Sequence, residues 1–197
     1  MKVILFMLSF FLLGFQPSSG VQTTWVVEAG SSLVIDGSSN VNTFSCVVKK
    51  YLNCDTLRMF PEGRTRRLQF KQCTIHIDVG QIDCRHRFIT SDLRKTLRYP
   101  EVEYMKIHFI SLDDPFPVTA SKRIRGVVDI ELAGRTKRID LWFDVSHQAS
   151  GRLLHLSGQK ELLFSDFKLE PPKKMAGMIK INDELKVNVD LFFRRSA

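Results

Sequence analysis

Side chains able to do chemistry are few in this chain, and they are scattered. Five histidines, His76, His86, His108, His147 and His155, stand singly, most of them at polar-facing positions of alternating stretches. A lone histidine there reads as solvated or hydrogen-bonded. Asp113-Asp114 and Asp183-Glu184 look like paired carboxylates, but both lie beside turn signals, where solvated loop charges account for them. There is no G-x-S-x-G, no H-E-x-x-H and no glycine-rich phosphate loop. The sequence therefore offers no catalytic residue and calls for no cofactor. A Ser/His/Asp site assembled across strands stays open as the enzyme alternative, to be tested with ester and glycoside substrates.

Four cysteines remain, Cys46, Cys54, Cys73 and Cys84. No CxxC pair and no histidine pair at ligand spacing accompanies them, so no metal is expected. An even count in an exported chain favours disulfides. If the segments are antiparallel neighbours, the nested pairing Cys46–Cys84 with Cys54–Cys73 is geometrically simple, and it is preferred here. Two local bridges, Cys46–Cys54 and Cys73–Cys84, are the alternative.

Export is expected from the N-terminus. Lys2 forms a short positive region, Val3 to Phe15 is apolar, and Ser18 and Gly20 are small residues at the spacing of a signal-peptide cleavage site. Residues 1–20 thus read as a signal peptide and 21–197 as a single domain, periplasmic or secreted. Formal net charge is +8, one less once Lys2 leaves. The cations cluster at Arg64, Arg66 and Arg67, at Lys122, Arg123 and Arg125, at Lys173 and Lys174, and at Arg194 and Arg195. Scattered loop charges that keep the chain soluble are the preferred reading of these clusters, and a surface suited to anionic headgroups or polyanions of a cell envelope is the alternative. Nucleic acid is not expected, because the aromatics do not interleave with the basic runs.

The elements that must position any site are strands. From Gly126 to Val145, Val128, Ile130 and Leu132 share one face, and Ile139, Leu141, Phe143 and Val145 share another, with a turn at Gly134. Strand side chains alternate sides, so this pattern buries one face and wets the other. The same alternation recurs at Trp25–Glu28, Ser32–Asp36, Val41–Val48, Tyr51–Met59, Ile75–Val79, Val102–Ser111 and Leu185–Phe193. Gly37-Ser38-Ser39-Asn40 reads as the turn between two of them. One short helix is expected, capped by Thr90 or Ser91 and running from Asp92 to Leu97, with Leu93 and Leu97 on one face and Tyr99-Pro100 stopping it. The fold class is all-β: an antiparallel lipocalin-like barrel of about eight strands with one helix.

Four stretches, in order, resemble the YceI-like family of exported, lipocalin-like barrels. They are Ser39-Asn40-Val41-Asn42-Thr43-Phe44; Asp92-Leu93-Arg94-Lys95-Thr96-Leu97 with Tyr99-Pro100-Glu101-Val102; Leu132-Ala133-Gly134-Arg135-Thr136-Lys137; and Phe164-Ser165-Asp166-Phe167-Lys168-Leu169 followed by Ile181 to Val189. The resemblance implies an internal tunnel that holds a polyisoprenoid or similar amphiphile without catalysis. The sequence departs from the family at Ala29-Gly30-Ser31-Ser32-Leu33-Val34, where a His-Ser pair is usual, and in having the four cysteines.

If the barrel is hollow, its inward rows are the site: Met105, Ile107 and Phe109; Val128, Ile130 and Leu132; Ile139, Leu141 and Phe143; Val187, Val189 and Leu191. A greasy lining is all that a long apolar ligand requires, at about 0.8 kcal/mol per buried methylene. The expected function is non-catalytic sequestration or carriage of an apolar or amphiphilic, isoprenoid-type molecule. The alternative is an envelope interaction module with a filled barrel, whose contacts would be outward Trp142 and Phe192 and the basic cluster at Arg64, Arg66 and Arg67.

Overall fold

Val128 and Ile139, both inward in the sequence pattern, sit directly opposite each other in a hairpin made of β9 (Lys122–Leu132) and β10 (Arg135–His147). Its two-residue turn, Ala133-Gly134, has positive φ at both positions, 48° and 77°. That is the mirror-image turn whose twist matches paired strands, and glycine takes the second position without a Cβ penalty. The structure, a computed structural model, describes residues 23–48, 56–62, 67–71, 73–113, 121–147, 152–174 and 178–196. The expected signal peptide, Cys54, Arg64, Arg66 and Asp114 lie outside the described residues.

The remaining strands are β1 (Thr23–Val27), β2 (Ser32–Ser39), β3 (Thr43–Val48), β4 (Thr56–Pro61), β5 (Arg67–Lys71), β6 (Thr74–Asp78), β7 (Ile82–Asp83), β8 (Tyr104–Asp113), β11 (Leu153–Leu163), β12 (Lys173–Lys174) and β13 (Ile179–Arg195). All pairings are antiparallel, and β1-β4-β5-β8-β9-β10-β11-β13 closes on itself as an eight-strand ring through β1 and β13. Closure leaves no free edge in that ring. Two of its strands are shared. Residues 193–195 of β13 pair with β1, while 181–190 pair with β2. Likewise β8 pairs with β5 at one end and β6 at the other. The barrel is thus closed by β1, β4 and β5 at one end, and walled by β2, β3, β6 and β7 at the other.

The helix α1 (Arg87–Thr96) lies against that second end, burying Leu93 and Leu97. It begins earlier than expected. Thr90 is inside it, and its hydroxyl accepts the Cys84 N–H at 3.0 Å instead of capping the helix start. The strand β2 also continues into the expected turn, because Gly37 pairs across the sheet with Phe44 and the chain reverses only after Ser39. Asp183 lies in β13, not in a loop.

Of the two expected disulfides, Cys46–Cys84 is formed and joins β3 to the residues leading into α1. The second is corrected: Cys73 is a buried free thiol, so the Cys54–Cys73 bridge is not made. Its sulfur is held within the β4–β5 region, where it accepts the Arg58 N–H at 2.9 Å and approaches the carbonyls of Arg58 and Lys71 at 3.4 Å. Burial pushes this thiol's pKa up, away from the reactive thiolate. In native protein, a thiol reagent is expected to leave Cys73 unmodified and to label it only in denaturant, as read by peptide mass mapping.

The closed end is filled. Phe109 lies between Phe70 (5.5 Å between ring centroids) and Phe143 (5.9 Å), and Phe143 also covers Gly126. A Cβ at position 126 would lie 2.6 Å from the Phe143 ring, so only glycine admits that packing. Gly126→Ala is expected to lose about 1–3 kcal/mol in urea unfolding. Combined with Phe143→Leu, it should lose less than the sum of the two single changes.

Candidate functional site

Past the aromatic plug the inward rows change to aliphatic, and they no longer fill the barrel. Met105 and Ile107 of β8, Ile130 and Leu132 of β9, and Leu185 and Val187 of β13 surround a slot of about 50 Å³. Leu93 and Leu97 close it from the helix side, and all fifteen residues that line it are apolar. Of the residues that line it, Ile107, Ile130, Leu132 and Val187 face inward and are only partly buried. A second void of about 20 Å³ continues the slot along Ile75, Val189 and Leu191. Ile77, Ile107 and Leu33 border both.

The twelve residues expected to line a cavity therefore divide by depth. Met105, Ile107, Ile130, Leu132 and Val187 border the slot, and Val189 and Leu191 border its extension. Phe109, Val128, Ile139, Leu141 and Phe143 are buried but line neither void.

At the helix end a wider apolar groove of about 540 Å³ lies on the surface, and Leu93 and Phe164 line both it and the slot. Val41, Phe44, Phe88, Ile89, Ile179 and Ile181 form its walls, with Asn42, His86 and Asp92 as polar neighbours. None of these was expected as a site residue. Phe44, Ile179 and Ile181 carry a strand-like alternation, but that alternation cannot say that the helix stands off from them.

Several polar contacts hold the groove in shape. The Asn40 side chain donates to Met178 O at 2.8 Å and accepts Lys180 N–H at 2.9 Å, fixing the β2–β3 turn to the start of β13. Arg94 donates to Ile82 O at 2.7 Å, and with the Cys46–Cys84 bond this seats α1. A 3-10 turn at Ser165–Phe167 carries Phe167 and follows Phe164. It is pinned from two sides. Asp183 accepts Ser165 N–H at 2.9 Å together with the Ser165 hydroxyl, and Lys137 of β10 pairs with Asp166.

The candidates for chemistry stay apart. His76 rests edge-on to Tyr104, His155 bonds Asp190 at 3.0 Å and stacks on Phe192, and the His147 side chain lies outside the described residues. The nearest approach to a hydrolytic constellation is Thr74 Oγ to His108 Nδ1 at 2.7 Å, with Glu131 3.8 Å from Nε2. It stands on the outward face of β6, β8 and β9, away from slot and groove, and Lys106 also binds Glu131 at 3.0 Å. Among the described residues no group of three or more His, Cys, Asp or Glu is placed to hold a metal. Arg67 pairs with Asp113 at 2.8 Å, and Trp142 and Phe192 are exposed, as their outward positions required.

No protein-family model and no curated protein sequence matches this chain. Solved structures do. A polyisoprenoid binding domain from Saccharophagus degradans, implicated in plant cell wall breakdown, aligns over 87% of this chain and 98% of its own, at TM-score 0.63 and 12% identity. The fold is YceI-like. BcnA of Burkholderia cenocepacia aligns at TM-score 0.53 and 13% identity, over 82% of this chain and 95% of that one. A mutant CJ YceI protein aligns at TM-score 0.51 and 13% identity, over 72% and 80%. At such identity the likeness concerns backbone architecture.

The Lys137–Asp166 pair makes a pH prediction. Its hydrogen bond to the Lys137 ammonium holds the Asp166 carboxyl below the usual carboxylate range. A depressed folded-state pKa contributes stability that is complete above the unfolded value, about 3.9, and is lost as pH falls through the lower folded value. Lys137→Ala should thus be less stable than wild type in urea at neutral pH. The difference should shrink as pH falls below the unfolded value and the carboxyl becomes protonated.

Proposed function

We propose that the protein is an exported carrier or sequestering protein for an apolar or amphiphilic lipid of the isoprenoid type. The observation that carries this reading is an apolar surface groove and an apolar internal slot that share Leu93 and Phe164 as lining residues. The groove's volume is within the roughly 300–1,000 Å³ of ordinary small-molecule sites. The slot admits only a methylene or two as it stands, so the end of an apolar chain enters it as the aliphatic side chains change rotamer. A chain held there gains about 0.8 kcal/mol per buried methylene, and a polar head left at the groove finds Asn42, His86 and Asp92. Nothing in this arrangement acts on a bond; its work is to exclude water. The polyisoprenoid binding named for the Saccharophagus degradans domain supports the ligand class through the shared fold.

The test is native mass spectrometry of the full chain purified from the compartment it is exported to, with solvent extraction of the same sample. A bound mass of several hundred daltons, released by solvent as a prenyl or acyl lipid, is expected; a bare polypeptide mass would overturn the reading. Ile130→Phe with Val187→Phe fills the slot. Displacing two methylenes should lower retention of the extracted lipid about tenfold. Equal retention by that variant would place the ligand elsewhere.

A further inference from the structure

Three large apolar side chains project from the groove's rim: Val41 (63% exposed), Phe88 (66%) and Met178 (66%). They are the most exposed large hydrophobics among the described residues, and they come from three separate segments, the β2–β3 turn, the first turn of α1 and the entry to β13. Polar bonds join two of these segments, and the groove joins the third. Asn40, next to Val41, binds both Met178 O and Lys180 N, and Val41 and Phe88 border one groove. Scattered apolar side chains on a surface need no explanation, but a converged set around an apolar opening marks a contact surface.

Charge says what the contact is with. Phe88 follows Arg85-His86-Arg87, all exposed, and Met178 stands beside Lys173 and Lys180, an exposed cross-strand pair. Against these four cations stand Asp92 on the groove wall, Asp83, which lines one pocket with Arg87, and exposed Glu170. Apolar tips ringed by Arg and Lys match the interface of a bilayer, where apolar groups enter the headgroup–acyl boundary and cations meet lipid phosphates. A protein partner offering the same complementarity would need an acidic ring around an apolar knob; an anionic bilayer presents both everywhere on its surface.

We propose that this rim docks on anionic phospholipid bilayers, with Val41, Phe88 and Met178 inserted and Arg85, Arg87, Lys173 and Lys180 on the phosphates. Docking does not require that cargo be carried. Taken with the carrier reading, it faces the groove to the membrane, so that an apolar chain passes between bilayer and slot without crossing water.

The test is co-sedimentation of the full chain with phosphatidylcholine vesicles and with 3:1 phosphatidylcholine/phosphatidylglycerol vesicles, at low and high salt. Binding to the anionic vesicles, weakened by salt, is expected. Arg85→Ser with Arg87→Ser, and separately Phe88→Ser with Val41→Ser, should each weaken it about tenfold or more. Arg123→Ser with Arg195→Ser removes equal charge away from the rim and should leave it unchanged. Thermal melts of all three variants check folding. Equal loss in the Arg123/Arg195 variant would show general charge attraction and overturn the proposal. So would absence of binding by wild type, including the case where gel filtration shows the rim buried in a dimer that Phe88→Ser dissociates. Vesicle binding without extractable cargo would sink the carrier reading and leave the docking surface standing.

Discussion

The seventeen-residue strand β13 is paired along both edges, and the rest of the barrel depends on it. One edge takes β11 along eleven consecutive positions, from Leu153↔Arg194 to Leu163↔Glu184. The other edge is divided between β2 and β1. Side chains on a strand repeat every two residues, so a slip of one position would turn Leu185, Val187, Val189, Leu191 and Phe193 to solvent together. Register on β13 thus sets which residues face inward on three neighbours at once. The divided pairing also gives the barrel two different ends, which is where the asymmetry of its interior begins.

At one end the short crossing of β1, β4 and β5 brings the walls close, and aromatic rings at Phe70, Phe109 and Phe143 fill the space. At the other end, the wall formed by β2, β3, β6 and β7 is capped by a helix, not by a strand. A helix presses only one face inward, and here that face supplies Leu93 and Leu97. Leucine, isoleucine and methionine can repack around a guest more cheaply than stacked rings. The plugged end therefore supports the fold, and the aliphatic end carries the slot. The Cys46–Cys84 bond, Arg94 and Asp183 hold that looser end in place without filling it.

The likeness to solved YceI-like structures at 12–13% identity has a physical basis. A barrel asks for alternation, turns of the right hand and closure; it does not ask for particular side chains. Many sequences meet those demands, so backbone similarity persists where residue identity does not. What occupies the interior is decided by side-chain volume, which this likeness does not report.

Alternation in the sequence, by itself, determined the all-β class, the β9–β10 hairpin with its turn at Gly134, the inward row of β13 and the existence of one helix presenting Leu93 and Leu97. Each is local, written in a period of two or four residues. The cysteine count allowed a Cys46–Cys84 pairing but could not show that Cys73 stays a thiol, because that depends on which sulfurs the fold brings within bonding distance. The inward rows were legible as rows. That Phe143 belongs to a plug while Ile130 borders a void was decided only in three dimensions, by which side chains of other strands reach each position. The groove was least legible of all: Val41, Phe88 and Met178 lie far apart in the chain and share no pattern. The Asn40 bonds join the segments of Val41 and Met178, and the groove joins Val41 to Phe88; no periodicity within a segment records what other segments approach it.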